Sequence, residues 1–289
     1  MIETPSRPKK MARQTSLVFI PGAWHRPSCY DKVTEPLQMR HHLRCISVTL
    51  PSTMDNPMAT FKDDIDAARS AIVNETEKGR DVIIIAHSYG GMVGNSVIKG
   101  LARPKTLTPV PDEQRGYVVG LVLIASGFTF TGVAFMDFFF GHPPPSWRIN
   151  KETGYADIVV RPQEFFYHDL PPAEADYHTS MLTTQSLKAL FEGREYAYAG
   201  WVDVPVWYIG TVEDQGLPVV AQRMSVGMAR AIGGRVFHTE LQTSHSPFLS
   251  QPMQVVQILL QAVQEFTGIQ VVERPAMLEA VSKQDLPKG

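Results

Sequence analysis

Ile83-Ile84-Ile85-Ala86-His87-Ser88-Tyr89-Gly90-Gly91 is the stretch on which the fold turns. An apolar run suited to a buried strand meets a serine, and a glycine pair opens a helical pattern at once. A strand that becomes a helix across one residue must bend tightly, so the positions two before and two after Ser88 must be small. Ala86 and Gly90 meet that demand. Such a bend pushes the Ser88 hydroxyl out at the C-terminal edge of a sheet, where open α/β sheets bind ligands. The helix start behind it offers free backbone N–H groups and partial positive charge. A lone S-x-G also fits a serine without chemistry, so the weight falls on its surroundings.

Working outward, short apolar runs alternate with longer amphipathic stretches, the pattern of a parallel sheet wrapped by helices. Strands are predicted at Ser16–Pro21, Leu43–Leu50, Asp81–His87, Tyr117–Ala125, Val204–Gly210 and Arg235–Leu241. Most are rich in Val, Ile and Leu without alternation, as strands buried on both faces should be. Helices are predicted at Tyr30–His41, Phe61–Lys78, Gly91–Leu101, Pro218–Ile232 and Pro252–Thr267. In the second of these, Phe61, Ile65, Ala68 and Ile72 share one face, and Gly79 follows as a C-terminal glycine.

One segment breaks the rhythm. Residues 127–201 are rich in aromatics and proline and lie between two strands, too long for an ordinary loop. The reading is an inserted cap with short helices at Pro162–His168, Pro172–Leu182 and Thr184–Glu192. The chain then divides into a flexible start (1–15), a core (16–126 and 202–268), the cap (127–201) and a tail (269–289).

Composition narrows the function. Twenty-seven basic against 29 acidic residues give no footprint for nucleic acid or an anionic membrane. With 44% apolar residues in 289, the chain can bury a large core. Cys29 and Cys45 are too few for a disulfide framework or a structural zinc site, and no H-E-x-x-H motif supports a metal. Neither a secretory signal nor a transmembrane run is seen, so a cytoplasmic protein with reduced thiols is expected. No dinucleotide loop is present, and no cofactor is expected.

Two further loops give Ser88 possible partners. The fifth strand ends in Glu213-Asp214-Gln215-Gly216-Leu217-Pro218 and the sixth in Ser244-His245-Ser246. Loops after parallel strands converge on one edge, so an acid and a histidine can meet the serine there. His245 is the only histidine beyond the last strand, and Glu213 and Asp214 are rivals for the acid. His87 points away from the serine by strand alternation.

On these residues the chain resembles the α/β-hydrolase family, with its G-x-S-x-G elbow and its order Ser, acid, His. Ala86 replaces the first glycine. Asp214 is favoured over Glu213 as the acid because the E-D-x-G-x-P arrangement resembles plant esterases and hydroxynitrile lyases of this family, where the aspartate serves. The resemblance covers Ser16 to about Gly268 and is nearest to small cofactor-free esterases and hydroxynitrile-lyase-like members. It implies an α/β-hydrolase sheet of about six mostly parallel strands, since the usual N-terminal hairpin is missing. It also implies an oxyanion hole in Pro21-Gly22-Ala23-Trp24-His25, where Pro21 stands in the usual histidine position. The donors would be the amides of Ala23 or Trp24 together with Tyr89.

The expected activity is hydrolysis of a hydrophobic ester or lactone through Ser88, His245 and Asp214. Trp24, His25, Phe128, Phe135, Phe139 and Phe248 are the candidate substrate contacts. The same family also contains lyases, carbon–carbon bond hydrolases, cyclising enzymes and ligand receptors, and fold does not choose among them. An apolar cap surface could also support a homodimer.

Overall fold

Thr15 to Ile20 of the first strand are all buried, because neighbours cover both faces of a parallel sheet. A computed structural model describes residues 13–104 and 114–271. The expected flexible start before Arg13 and the tail after Val271 lie outside the described residues. The first half runs β1 (Thr15–Ile20), α1 (Asp31–Met39), β2 (Arg44–Ser47), α2 (Phe61–Thr76), β3 (Asp81–His87), α3 (Gly90–Val97) and β4 (Val118–Ile124). After a long insertion come β5 (Trp147–Asn150), β6 (Tyr155–Ile158), α4 (Pro162–Phe166), α5 (Pro172–Ser180) and α6 (Leu187–Phe191). The second half runs β7 (Val206–Thr211), α7 (Val219–Ala231), β8 (Val236–Leu241), α8 (Pro247–Ser250) and α9 (Pro252–Thr267).

Six strands form one parallel sheet in the order β2-β1-β3-β4-β7-β8. The chain moves outward from β1 to β2, then crosses back to place β3 on the other side of β1. The order therefore reverses between β1 and β3, and the crevice above their C-terminal ends is where such sheets hold ligands. Helix α2 buries Phe61, Ile65, Ala68 and Ile72 as its periodicity requires, and Thr60 and Asp63 cap it reciprocally. Asp64 and Glu75 are buried on the same face, which the apolar spacing does not reveal. Among the described residues no helix is long and apolar enough to cross a membrane.

Several boundaries differ from expectation. The second strand spans four residues rather than Leu43–Leu50, although the Val48 amide still donates to Phe19 O at 2.8 Å. Helix α3 stops at Val97, and Gly100 follows with φ +73°. The three insertion helices are each shorter than expected. The hairpin β5–β6 carries no clear sequence pattern: four residues per strand are too few for alternation to register. Its turn is set by Asn150, whose side chain accepts from the Glu152 and Thr153 amides.

Candidate active site

The elbow after β3 places Ser88 in the left-handed region, at φ +50°. That costs a non-glycine residue of order 1 kcal/mol or more and persists only where the surroundings enforce it. Here they do: the Ser88 amide donates to Ile124 O at 3.0 Å, and Ser126 Oγ donates to Ser88 O at 2.7 Å. A Cβ on Gly90 would lie 2.3 Å from Pro21 O, and one on Gly91 would lie 1.9 Å from Ser126 Oγ. The Ala86 methyl is accommodated from the helix side, because a Cβ on Gly94 would lie only 2.8 Å from it.

The loops after β7 and β8 meet the elbow. His245 Nδ1 lies 2.8 Å from Asp214 Oδ2, with both side chains buried. Asp214 accepts from the Gly216 and Leu217 amides, from Thr211 Oγ1 (each 2.7 Å) and from Gln222 Nε2 at 3.2 Å. Burial alone would raise its pKa; the His245 ring and these donors outweigh it and hold the carboxyl below its usual range. Glu213 is exposed, so Asp214 is the carboxylate at the imidazole. His87 packs 4.6 Å from the His245 ring, and its Nε2 meets His245 O at 3.0 Å. Burial drives the His87 pKa well down, so it stays uncharged beside its neighbour.

Above β1, Trp24 takes φ +61°. Among the described residues no protein group accepts from the Ala23, Trp24 or Tyr89 amides. Ser88, Tyr89, Ala23, Trp24 and His245 all open onto one cavity of about 500 Å³. Among the described residues no Asp, Glu, Lys or Arg lines it.

A model of the alpha/beta hydrolase family matches residues 17–258. The chain belongs to that family. Among curated relatives, the protein named alpha/beta hydrolase nvfD of Aspergillus novofumigatus is 26% identical, over 86% of this chain and 97% of its own. Methylesterase 18 of Arabidopsis thaliana is also 26% identical, over 85% and 95%. The crystal structure of a pyrethroid hydrolase from Sphingobium faniae JZ-2 superposes with a TM-score of 0.65 at 20% identity, over 87% and 98%, a likeness of fold.

In this alpha/beta hydrolase, Phe128, Phe135 and Phe139 of the insertion line the cavity. Two expected contacts do not. Phe248 is fully buried against Tyr30 and the back of His87, and His25 lies behind Trp24, facing a separate groove with Tyr167 and His178. Both follow site residues in sequence but are turned away from this cavity. Conversely, Trp147, Phe165 and Phe166 enter the cavity from the insertion, and Leu217, Met224 and Met228 enter from the acid loop and α7. The i, i+4 pair Met224 and Met228 was the available signal for the last of these.

Tyr89 is anchored by its side chain, whose hydroxyl donates to Asp64 Oδ2 at 2.7 Å while the Ser52 amide donates to Oδ1 at 2.9 Å. Burial raises the Asp64 pKa from 3.8 to about 6. The folded state therefore holds this proton more tightly than the unfolded chain, and stability falls as pH rises from about 4 to 6. By linkage that rise corresponds to about 3 kcal/mol. Asp64→Asn should remove that component: thermal midpoints of the variant, followed from pH 4 to 7, should slope less than those of the wild type.

Proposed function

We propose that this protein is a serine esterase that hydrolyses a hydrophobic ester or lactone of a small molecule. Ser88 attacks the carbonyl carbon, and His245 takes its proton and returns it to the leaving alcohol. Asp214 keeps the proton of the neutral imidazole on Nδ1, leaving Nε2 free to act as base. The developing oxyanion is received by the Ala23 and Tyr89 amides, with Trp24 as a further donor. Water then enters and the same histidine serves the second half of the reaction.

The observation that carries this reading is the meeting of four features at the sheet's switch point. A serine held at positive φ, a buried Asp–His pair and amides without acceptors share one cavity whose walls are apolar. The uncharged lining supports a neutral substrate on both sides of the scissile bond. Relatives named as a methylesterase and a pyrethroid hydrolase support ester chemistry.

Incubating the pure protein with a fluorophosphonate and measuring intact mass tests the reading directly. One adduct per chain, located on Ser88 by peptide mapping, is expected. A folded wild-type protein that stays unlabelled would overturn it, and lyase or ligand-binding roles of the same fold would take its place.

A further inference from the structure

The loop after β1 owes its shape to His25. Three successive carbonyls of this loop each have a partner. Gly22 O accepts from the His25 amide at 3.3 Å, Ala23 O lies 2.7 Å from His25 Nδ1, and Trp24 O accepts from Thr183 N and Oγ1 at 2.8 and 3.0 Å. Each peptide unit is planar and trans, so its C=O and the following N–H point in opposite directions. Fixing Gly22 O therefore aims the Ala23 amide, and fixing Ala23 O aims the Trp24 amide. Two of the three grips come from one residue.

The chemistry of the contacts sets the state of the ring. A carbonyl can only accept, so Nδ1 carries the hydrogen. Burial pushes the His25 pKa down to about 4, so the ring is neutral and Nε2 is an acceptor. Tyr167 Oη lies 2.8 Å from Nε2 and must donate. Both residues are almost wholly buried, so water does not compete for these bonds. Tyr167 belongs to the insertion, 142 positions away in sequence.

We infer that His25 is a positioning residue of the oxyanion hole, held in its working tautomer by Tyr167 of the insertion. The insertion then does more than roof the cavity, because its hydroxyl, through His25, fixes the aim of amides in the loop after β1. The inference rests on the esterase reading above.

Trifluoromethyl ketones test it, because they report oxyanion stabilisation separately from substrate binding. The Ser88 Oγ–carbon bond forms, the carbonyl π pair becomes the oxyanion and the serine proton passes to His245. The matching methyl ketone has the same shape without that driving force. Tyr167→Phe deletes one buried oxygen, and His25→Asn keeps a donor near Ala23 O while losing Nε2. For both variants kcat should fall and the trifluoromethyl ketone Ki should rise, each by about tenfold, the order of one lost hydrogen bond in a dry site. KM and methyl ketone affinity should stay at wild-type values.

Wild-type kcat and Ki in Tyr167→Phe would overturn the inference. So would equal losses for both ketones, which would mark a general packing defect. A wild-type protein that binds both ketones alike would overturn the esterase reading, and this inference with it.

Discussion

Ser88→Ala should abolish ester turnover, with kcat falling on the order of 10⁶-fold if nucleophile and base act as a unit. The residual rate, on the order of 10³ to 10⁴ above water, would come from the amides of Ala23 and Tyr89 and from binding alone. Because Ser88 is held at φ +50° by its neighbours, alanine can take the same backbone, and the variant should remain folded. Losing only an oxygen, it should bind neutral apolar esters as the wild type does. Kinetics under single-turnover conditions, paired with a binding isotherm, separate the two. Turnover at the wild-type rate on every ester would refute the assignment.

Asp214→Asn should be nearly as damaging, with kcat/KM down on the order of 10⁴-fold. The reason lies in proton direction. Every neighbour of this carboxylate donates: His245 Nδ1, Thr211 Oγ1, Gln222 Nε2 and the Gly216 and Leu217 amides. An asparagine NH₂ on the Oδ2 side faces Thr211, Gln222 and the ring. It can bond the ring only if Nδ1 becomes an acceptor, which puts the hydrogen on Nε2, where the serine proton should go. Turned the other way, the NH₂ meets two backbone amides. Either orientation leaves buried donors facing one another, worth about 1–3 kcal/mol each, so the thermal midpoint should drop as well. A calorimetric scan beside the kinetics checks both halves. A variant keeping activity at lower stability would mean that Asp214 supports the loop without setting the tautomer.

What sequence could and could not reveal follows from how far apart the interacting residues lie. The elbow was legible because its constraint is local: Ala86, Gly90 and Gly91 surround Ser88, and a Cβ on either glycine would lie within 3 Å of Pro21 O or Ser126 Oγ. His245 was readable by elimination; place after a strand offered both Glu213 and Asp214, and only the resemblance favoured Asp214. The role of His25 was not, since its partner Tyr167 arrives from another segment and the neutral tautomer is a product of burial. Phe248 misled because proximity to His245 in the chain says nothing about which way a short helix turns its side chains. Asp64 was hidden among Lys62, Asp63 and Asp66, which are exposed on the same helix. Its burial is visible only once Ser52 and Tyr89 are seen to donate to it.

The insertion is hydrogen-bonded to three of the loops that build the site. Thr183 and Tyr167 grip the loop after β1, His168 Nε2 lies 2.8 Å from Glu213 O, and Phe166 O and Asp169 hold Ser244 beside His245. This segment is therefore not an interchangeable cassette. Grafting it from a relative to alter substrate preference would also transplant, or lose, the fittings that align the reacting groups. Redesign of specificity should keep Tyr167, His168, Asp169 and Thr183 in place and vary the stretch around Phe135 and Phe139. There the chain faces the cavity and makes none of these bonds.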